Sequence, residues 1–296
     1  MPLTTEYQNS IHPVNQVVLD AASENLVPMS VALPFVARTE LPADTQTKTL
    51  RKKGELQREV VPENAAATIQ EYIESSTLLN SIKSVVTTRH TVEADDFSRE
   101  SIPSILGEEA AKALAVGLDE DIVTLFSAAT SSIVAAAPNL SILEILAAGL
   151  NVKVSTRGHA VRRDGGLVFI GSSKQVFDAI VVGGLDPALG LNLHANAASS
   201  LPAAVEQANA VRPANGFYAS VLGIDLYETE VLDDDGTNYF GAVINPRRAI
   251  AGMWSDQVRS LDVNDVIQYR MLKGMYMYSD FAIHWDEAIC RVESPL

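Results

Sequence analysis

The feature that most constrains the fold is a long amphipathic stretch, residues 101–129, with the sequence SIPSILGEEAAKALAVGLDEDIVTLFSAA. Pro103 suits the first turn of a helix, because the N–H that proline lacks has no partner there. A helix of this length spans roughly 40 Å, whereas an average helix has about 11 residues. Gly107 and Gly117 weaken it, so it depends on the packing of its apolar face. That face repeats every four residues: Leu106, Ala110, Leu114, Leu118, Ile122 and Phe126.

Composition places the chain among soluble globular proteins. Its 296 residues are 47% hydrophobic and 20% charged, which suffices for one large or two ordinary domains. No apolar run reaches the roughly 18 residues of a membrane span, and the N-terminus lacks a signal-peptide pattern. We therefore expect a cytosolic protein without a membrane partner. The single cysteine, Cys290, excludes an internal disulfide and a multi-cysteine metal site.

The charge pattern argues against a protein that binds nucleic acid tightly. There are 37 acidic and 22 basic residues, for a net charge of −15, and no Lys or Arg precedes Arg38. The strongest basic cluster fits a solvated turn, a contact with an acidic surface of another subunit, or phosphate binding. Two basic pairs fit surface charge or intersubunit salt bridges. These seven candidate intersubunit contacts are Arg51, Lys52 and Lys53 in the cluster, and Arg162, Arg163, Arg247 and Arg248 in the pairs.

No arrangement of residues indicates catalysis. The five histidines are far apart in sequence, and none has a second ligand at helical spacing. The run Asp233–Asp235 lacks the alternating oxygen ligands of a calcium loop, so it predicts a solvated hairpin turn at Asp235-Gly236. Glycine-rich phosphate motifs and nucleophile elbows do not occur. We predict no catalytic, cofactor-binding or metal-ligating residues.

Taken in order, the chain predicts an α+β fold. Prolines interrupt the apolar groups of residues 1–45, giving an arm that must lie on its own body or on a neighbour. Residues 45–81 suggest a hairpin that buries little and needs a partner surface, because an isolated two-stranded ribbon is marginal in water. Residues 82–92 predict a strand that leads into the long helix. A second helix is expected over residues 141–148, with Gly149 as its C-cap, followed by mixed strands and helices and a C-terminal strand.

This order of elements resembles the major capsid proteins of tailed bacteriophages, whose Johnson fold, or Hong Kong phage fold, is shared with encapsulins. The resemblance covers nearly the whole chain and is one of pattern, not of short invariant motifs. Its more specific segments are ENLVPMSVALPFVARTELPADTQTKTL, SVVTTRHTVEADDFSRESIPSILGEEAAKALAVGLDEDIVTLF, LVFIGSSKQVFDAI and FYASVLGIDLYETEVLDDDGTNYFGAVINPRRAIAG.

The resemblance implies a division of the chain and a structural role. It implies an N-terminal arm (1–45), an extended loop (46–81) over the neighbouring subunit, a peripheral domain (82–136 and 253–296) with a spine helix at about 101–129, and an axial domain (137–252). It also implies self-assembly as hexamers and pentamers into an icosahedral shell around double-stranded DNA, contacted without sequence specificity. The expected location is the virion capsid, assembled in the host cytoplasm.

Other partners and functions remain open at this level. Some relatives carry a cleaved scaffolding segment, and since this chain starts with the arm, we expect a separate scaffolding protein and a portal, with a decoration protein as a further candidate partner. Some cross-link a loop lysine to a peripheral-domain asparagine, roles that Lys52 or Lys53 and Asn264 could fill, although nothing local supports this. The alternatives are an encapsulin-like shell around a cargo enzyme, and an α+β enzyme with an unrecognised active site.

Overall fold

The computed structural model describes residues 29–40, 46–52, 75–91, 102–136, 139–156, 166–179, 216–221, 223–229, 231, 233–255, 258–265 and 270–295. The helices in these ranges are α1 (Ile102–Val123), α2 (Ile142–Ser155) and α3 (Ser173–Phe177). The strands are β1 (Ala37–Thr39), β2 (Thr47–Lys52), β3 (Ser75–Asn80), β4 (Ile82–Thr91), β5 (Ser132–Val134), β6 (Leu167–Ser172), β7 (Phe217–Val221), β8 (Ile224–Thr229), β9 (Asp233–Asp234), β10 (Asn238–Ile244), β11 (Ile250–Trp254), β12 (Arg259–Asp265), β13 (Arg270–Ile283) and β14 (Ile289–Pro295). The predicted α+β class is confirmed.

Two large sheets and one ribbon organise these strands. In the five-stranded sheet the order is β1-β11-β13-β12, and β4 pairs with β13 on the edge opposite β12. In the seven-stranded sheet the order is β5-β14-β10-β6-β8-β7, and β9 pairs with β10. The ribbon consists of β2 and β3, antiparallel, and it corresponds to the predicted hairpin.

The long helix packs its apolar face against the five-stranded sheet, as its period of four predicts. Ala110, Leu114, Leu118 and Ile122 are buried in one core cluster with Met275 and Met277 of β13. A 3-10 turn, Thr124–Ala128, continues the helix and buries Phe126 in the same core. The apolar periodicity therefore located both the helix and its buried side.

The seven-stranded sheet is buried on both faces. Ala242 and Ile244 of β10 belong to the core shared with α1, whereas Val243 between them belongs to a second core with Ile145 of α2. Because alternate side chains of a strand point to opposite faces, both faces of β10 are covered. This explains the continuous apolar sequence of β6, whose six residues are all buried.

The predicted end of the second helix is wrong. The helix α2 begins at Ile142, capped by Ser141, but it continues through Gly149 to Ser155. A Cβ at Gly149 would lie 2.6 Å from the Ile224 Cδ1 atom, so the glycine allows close packing inside the helix and is not a C-cap. The capping signal at the start was local, whereas the constraint on Gly149 comes from a distant strand.

Two glycine substitutions are expected to change stability in opposite directions. Gly252 of β11 pairs with Phe281 of β13, and an added Cβ would lie 2.3 Å from the Phe281 ring. Gly252→Ala should therefore lower the free energy of unfolding by about 1–3 kcal/mol through overpacking. Gly117 lies inside α1, and a Cβ added there would meet no described atom within 4 Å. Gly117→Ala should therefore raise the free energy of unfolding by up to about 1 kcal/mol. Chemical denaturation of both variants tests the packing, and a stabilised Gly252→Ala would contradict it.

Within the described ranges, no helix combines the length and the apolar character needed to cross a membrane.

Candidate functional site

The β2–β3 ribbon has one face packed on its own chain and one face open to solvent. Thr49 pairs with Leu78 and Arg51 with Ser76, so these four side chains share a face. Of these four side chains, those of Arg51 and Leu78 are large. The apolar side chain of Leu78 is 56% exposed. Leu79, on the opposite face, is completely buried. Leu78 is therefore an apolar side chain that the described part of its own subunit leaves largely uncovered.

The packed face of the ribbon is held by Trp285, which follows β13. The Lys52 Nζ atom lies 4.8 Å from the Trp285 ring centroid, and the Arg248 guanidinium lies 5.0 Å from it. Lys52 also forms an ion pair with Glu287 in the adjacent 3-10 turn. Nearby, the Lys48 ammonium donates to the Glu40 carbonyl oxygen. The Lys52 end of the ribbon is therefore fastened by cation–π contacts and charge pairing.

These contacts shift the pKa values of two neighbouring groups. Burial by itself would raise the pKa of Glu287, but the hydrogen bond and charge of Lys52 lower it overall. Burial lowers the pKa of His284, and the positive charge of Lys52 lowers it further. The His284 Nδ1 atom is buried and has no hydrogen-bond partner among the described residues. Neutral His284 is thus the form compatible with two cations close to Trp285.

Replacing Lys52 by methionine is expected to raise the pKa of His284 without restoring its ordinary value of about 6.5. Loss of the Lys52 charge removes the smaller cause, and burial, the larger cause, remains. Because the folded pKa is depressed, the contribution of His284 to stability is complete above about pH 6.5 and is lost as the pH falls through the shifted value. NMR titration of the imidazole C–H signals measures this, with His284→Gln identifying the signal. Lys48→Met, on the same ribbon face, should leave the titration unchanged, and an unchanged pKa in Lys52→Met would contradict the assignment.

A second contact fastens residues 30–39, here called the strap, to the body of the same chain. The Asp119 carboxylate of α1 accepts hydrogen bonds from the Ser30 hydroxyl at 2.6 Å, the Val31 N–H at 2.9 Å and the Ala32 N–H at 3.0 Å. Farther along, β1 pairs in parallel with β11, and the Arg247 N–H donates to the Phe35 carbonyl oxygen at 2.7 Å. This part of the predicted arm therefore lies on its own subunit.

The structure places four of the seven predicted contact residues. Arg51 is exposed on the open face of the ribbon, while Lys52 and Arg248 meet at Trp285. Arg247 has an exposed side chain and a φ of 61°, a left-handed backbone in the turn before β11. Lys53, Arg162 and Arg163 lie outside the described residues. Trp285 and Asp119, which organise the two fastening contacts, were not predicted from the sequence.

The aspartate run forms the predicted turn. Asp235 accepts from the N–H groups of Thr237 and Asn238, Gly236 has a φ of 79°, and the pKa of Asp235 is lowered by these backbone hydrogen bonds. In the part of the chain that the structure describes, no three His, Cys, Asp or Glu side chains are grouped closely enough to hold a metal ion.

Comparison with known proteins identifies the fold. Neither a family model nor a curated protein matches the sequence. Among solved structures, the capsid of Ralstonia phage GP4 is similar over 88% of this chain and 87% of that one, with a TM-score of 0.66 at 8% identity. The head structure of Helicobacter pylori bacteriophage KHP40 is similar over 90% of both chains, with a TM-score of 0.63 at 10% identity. The capsid of an empty GTA particle is similar over 90% of both, with a TM-score of 0.59 at 9% identity.

The chain therefore has the fold found in phage capsids, and the predicted capsid fold is confirmed. The similarity extends over almost the entire chain and over almost the entire length of each neighbour.

Proposed function

We propose that this chain is the major capsid protein of a tailed bacteriophage, assembling as hexamers and pentamers into an icosahedral shell that encloses double-stranded DNA. The observation that supports this most directly is the end-to-end similarity to phage capsid structures. Each chain would meet identical copies through closed rotational symmetry.

The proposed parts follow the sequence-based division. Residues 46–81 act as the extended loop over a neighbour, α1 acts as the spine of a peripheral domain (82–136 and 253–296), and residues 137–252 form the axial domain at the capsomer axis. Arg51, Lys53, Arg162, Arg163 and Arg247 remain candidate intersubunit contacts. Lys52 and Arg248 both contact Trp285 and hold the Lys52 end of the ribbon within one subunit.

The proposed partners are other copies of the chain, a scaffolding protein and a portal, with packaged DNA as the contents. A net charge of −15 suits a container for DNA, because a shell that binds the phosphates weakly lets densely packed DNA move. Assembly in the host cytoplasm and residence in the virion follow from this role.

Electron microscopy of the purified chain tests the proposal, with and without its scaffolding protein and with light scattering for mass. Uniform shells or hexamer-like rings are the expected result. Particles that remain at the monomer mass of 31.8 kDa under every condition would contradict it. Shells that enclose a cargo enzyme instead of DNA would contradict the phage role and leave an encapsulin-like one. Denaturing electrophoresis of the shells separates cross-linked subunits, seen as a ladder, from uncross-linked ones.

A further inference from the structure

We propose that the contact between the ribbon and Trp285 is sensitive to acid: protonation of the His284 imidazole releases the Lys52 end of the ribbon from the body of its own subunit. The release is a property of a single subunit, so it holds whether or not copies assemble. It goes beyond the proposed function by naming a chemical signal that changes how the ribbon is held.

Two cations and one imidazole meet at the Trp285 ring. The Lys52 Nζ atom lies 4.8 Å from the centroid of this ring and the Arg248 Cζ atom 5.0 Å from it. The His284 ring centroid lies 6.5 Å from the same point. Lys52 ends β2, Arg248 belongs to the turn before β11, and His284 directly follows β13. Three separate segments thus bring their titratable or charged groups to one place.

The two carboxylates of the adjacent 3-10 turn are already engaged. Asp286 accepts a hydrogen bond from the Thr130 N–H at 3.1 Å, and Glu287 forms the ion pair with Lys52. The Glu287 side chain is 49% exposed, so solvent screens its attraction for Lys52. Each carboxylate therefore has its own partner before His284 takes up a proton, and the one that holds Lys52 holds it weakly.

A proton on His284 adds both a hydrogen-bond donor and a charge. The Nδ1 atom is buried and has no hydrogen-bond partner among the described residues. Because both ring nitrogens of a protonated imidazole are donors, the Nδ1–H would be a buried donor without an acceptor. The new charge would also be the third positive charge close to Trp285, beside Lys52 and Arg248. Burial and the Lys52 charge accordingly lower the pKa of His284.

The coupling between Lys52 and this proton is reciprocal. Since the Lys52 charge weakens proton binding at His284, the proton weakens the Lys52 contact by the same factor. The backbone of Arg248 is fixed to the body, because its N–H donates to the Asn245 carbonyl oxygen at 3.2 Å. Lys52 instead ends a two-stranded ribbon, which is marginal in water without support. Lys52 is therefore the cation that leaves.

The opposite end of the ribbon, where β3 leads into β4, is held by different contacts. The Asn80 N–H donates to the Asp280 carboxylate, and Leu79 is completely buried. Neither contact involves His284. Acid should therefore loosen the ribbon from its Lys52 end while the opposite end stays in place.

Hydrogen exchange of the full-length, unassembled chain tests the inference between about pH 8 and about pH 4.5. Rates are divided by the intrinsic exchange rate at each pH, so that only structural opening is compared. Protection of the amides at 50–52 and 75–77 should fall about tenfold as the His284 imidazole titrates, with the midpoint measured by NMR. Protection at 79–80 and in β13 should stay constant. Loss of protection that extends equally to β13 would be unfolding of the subunit and would overturn the inference.

Two variants separate His284 from the other titrating groups. His284→Gln cannot take up a proton, so protection at 50–52 and 75–77 should stay constant over the whole range. Lys48→Met removes a cation of the same strand that contacts Glu40 and not Trp285, so it should respond to acid as the unmodified chain does. Constant protection in the unmodified chain, or an equal loss in His284→Gln, would overturn the inference. Neither result bears on shell formation, which microscopy and mass decide separately.

Discussion

Leu114→Asp is expected to abolish assembly by unfolding the subunit. Leu114 is 4% exposed and belongs to the core in which α1 packs on the five-stranded sheet. Placing a carboxylate in this apolar cluster costs several kcal/mol. A whole domain is stable by only about 5–15 kcal/mol, so the loss consumes much of that margin. Chemical denaturation should show a weakened or absent cooperative transition, and light scattering should show no shells.

The preceding residue in the chain supplies the control. Ala113 is exposed on the same helix, so Ala113→Asp adds the same charge at a solvated position. Its expected cost is below about 1 kcal/mol, from helix propensity alone. Shells that form normally from Leu114→Asp would count heavily against the assignment of α1 as the buried helix of a capsid subunit.

Local patterns predicted the parts of the fold that depend on local physics. The period of four located α1 and its buried face, because a helix repeats its contacts along its own sequence. The Asp235-Gly236 turn was also predicted, since turn chemistry is local. The three-residue strands β1 and β5 were not predicted. Each pairs in parallel with a strand more than 150 positions away, and so short a segment carries no period of its own.

The candidate site was predicted only in part, because it also depends on contacts between distant segments. Lys52 and Arg248 were singled out as unusual cations in an acidic chain, but the sequence did not indicate that Trp285 lies close to both. Three separate segments converge there, and no spacing rule connects them. For Asp119 a signal existed: it follows Ala111 and Ala115 at intervals of four, and both alanines are buried. A carboxylate at the end of a stripe of small buried residues indicates a backbone segment that lies against it.

Asp119→Ala is the substitution expected to release the strap. The change leaves the Ser30 hydroxyl and the N–H groups of Val31 and Ala32 without their acceptor, while Leu33 beside them is buried. Each buried donor left unsatisfied costs about 1–3 kcal/mol, so a total loss of about 3 kcal/mol or more is expected. Hydrogen exchange of residues 30–39 should accelerate well beyond that of β13. Glu120→Ala, at the exposed neighbouring position, should leave both stability and exchange unchanged. Equal protection of residues 30–39 in the two variants would contradict the role of Asp119 in holding the strap.

The contribution of Asp119 to stability depends on pH with a sign that distinguishes Asp119 from an ordinary surface aspartate. Burial raises the pKa of Asp119 above its usual 3.8, and the hydrogen bonds from Ser30, Val31 and Ala32 lower it by less. Because the folded state then holds the proton more tightly than the unfolded state, the contribution of Asp119 is greatest below pH 3.8 and declines as the pH rises through the shifted value. Asp119→Asn keeps one acceptor oxygen but cannot titrate in this range. The unfolding free energy of the unmodified chain, relative to Asp119→Asn, should therefore fall as the pH rises through that window. A rise instead would mean that the hydrogen bonds outweigh the cost of burying the charge.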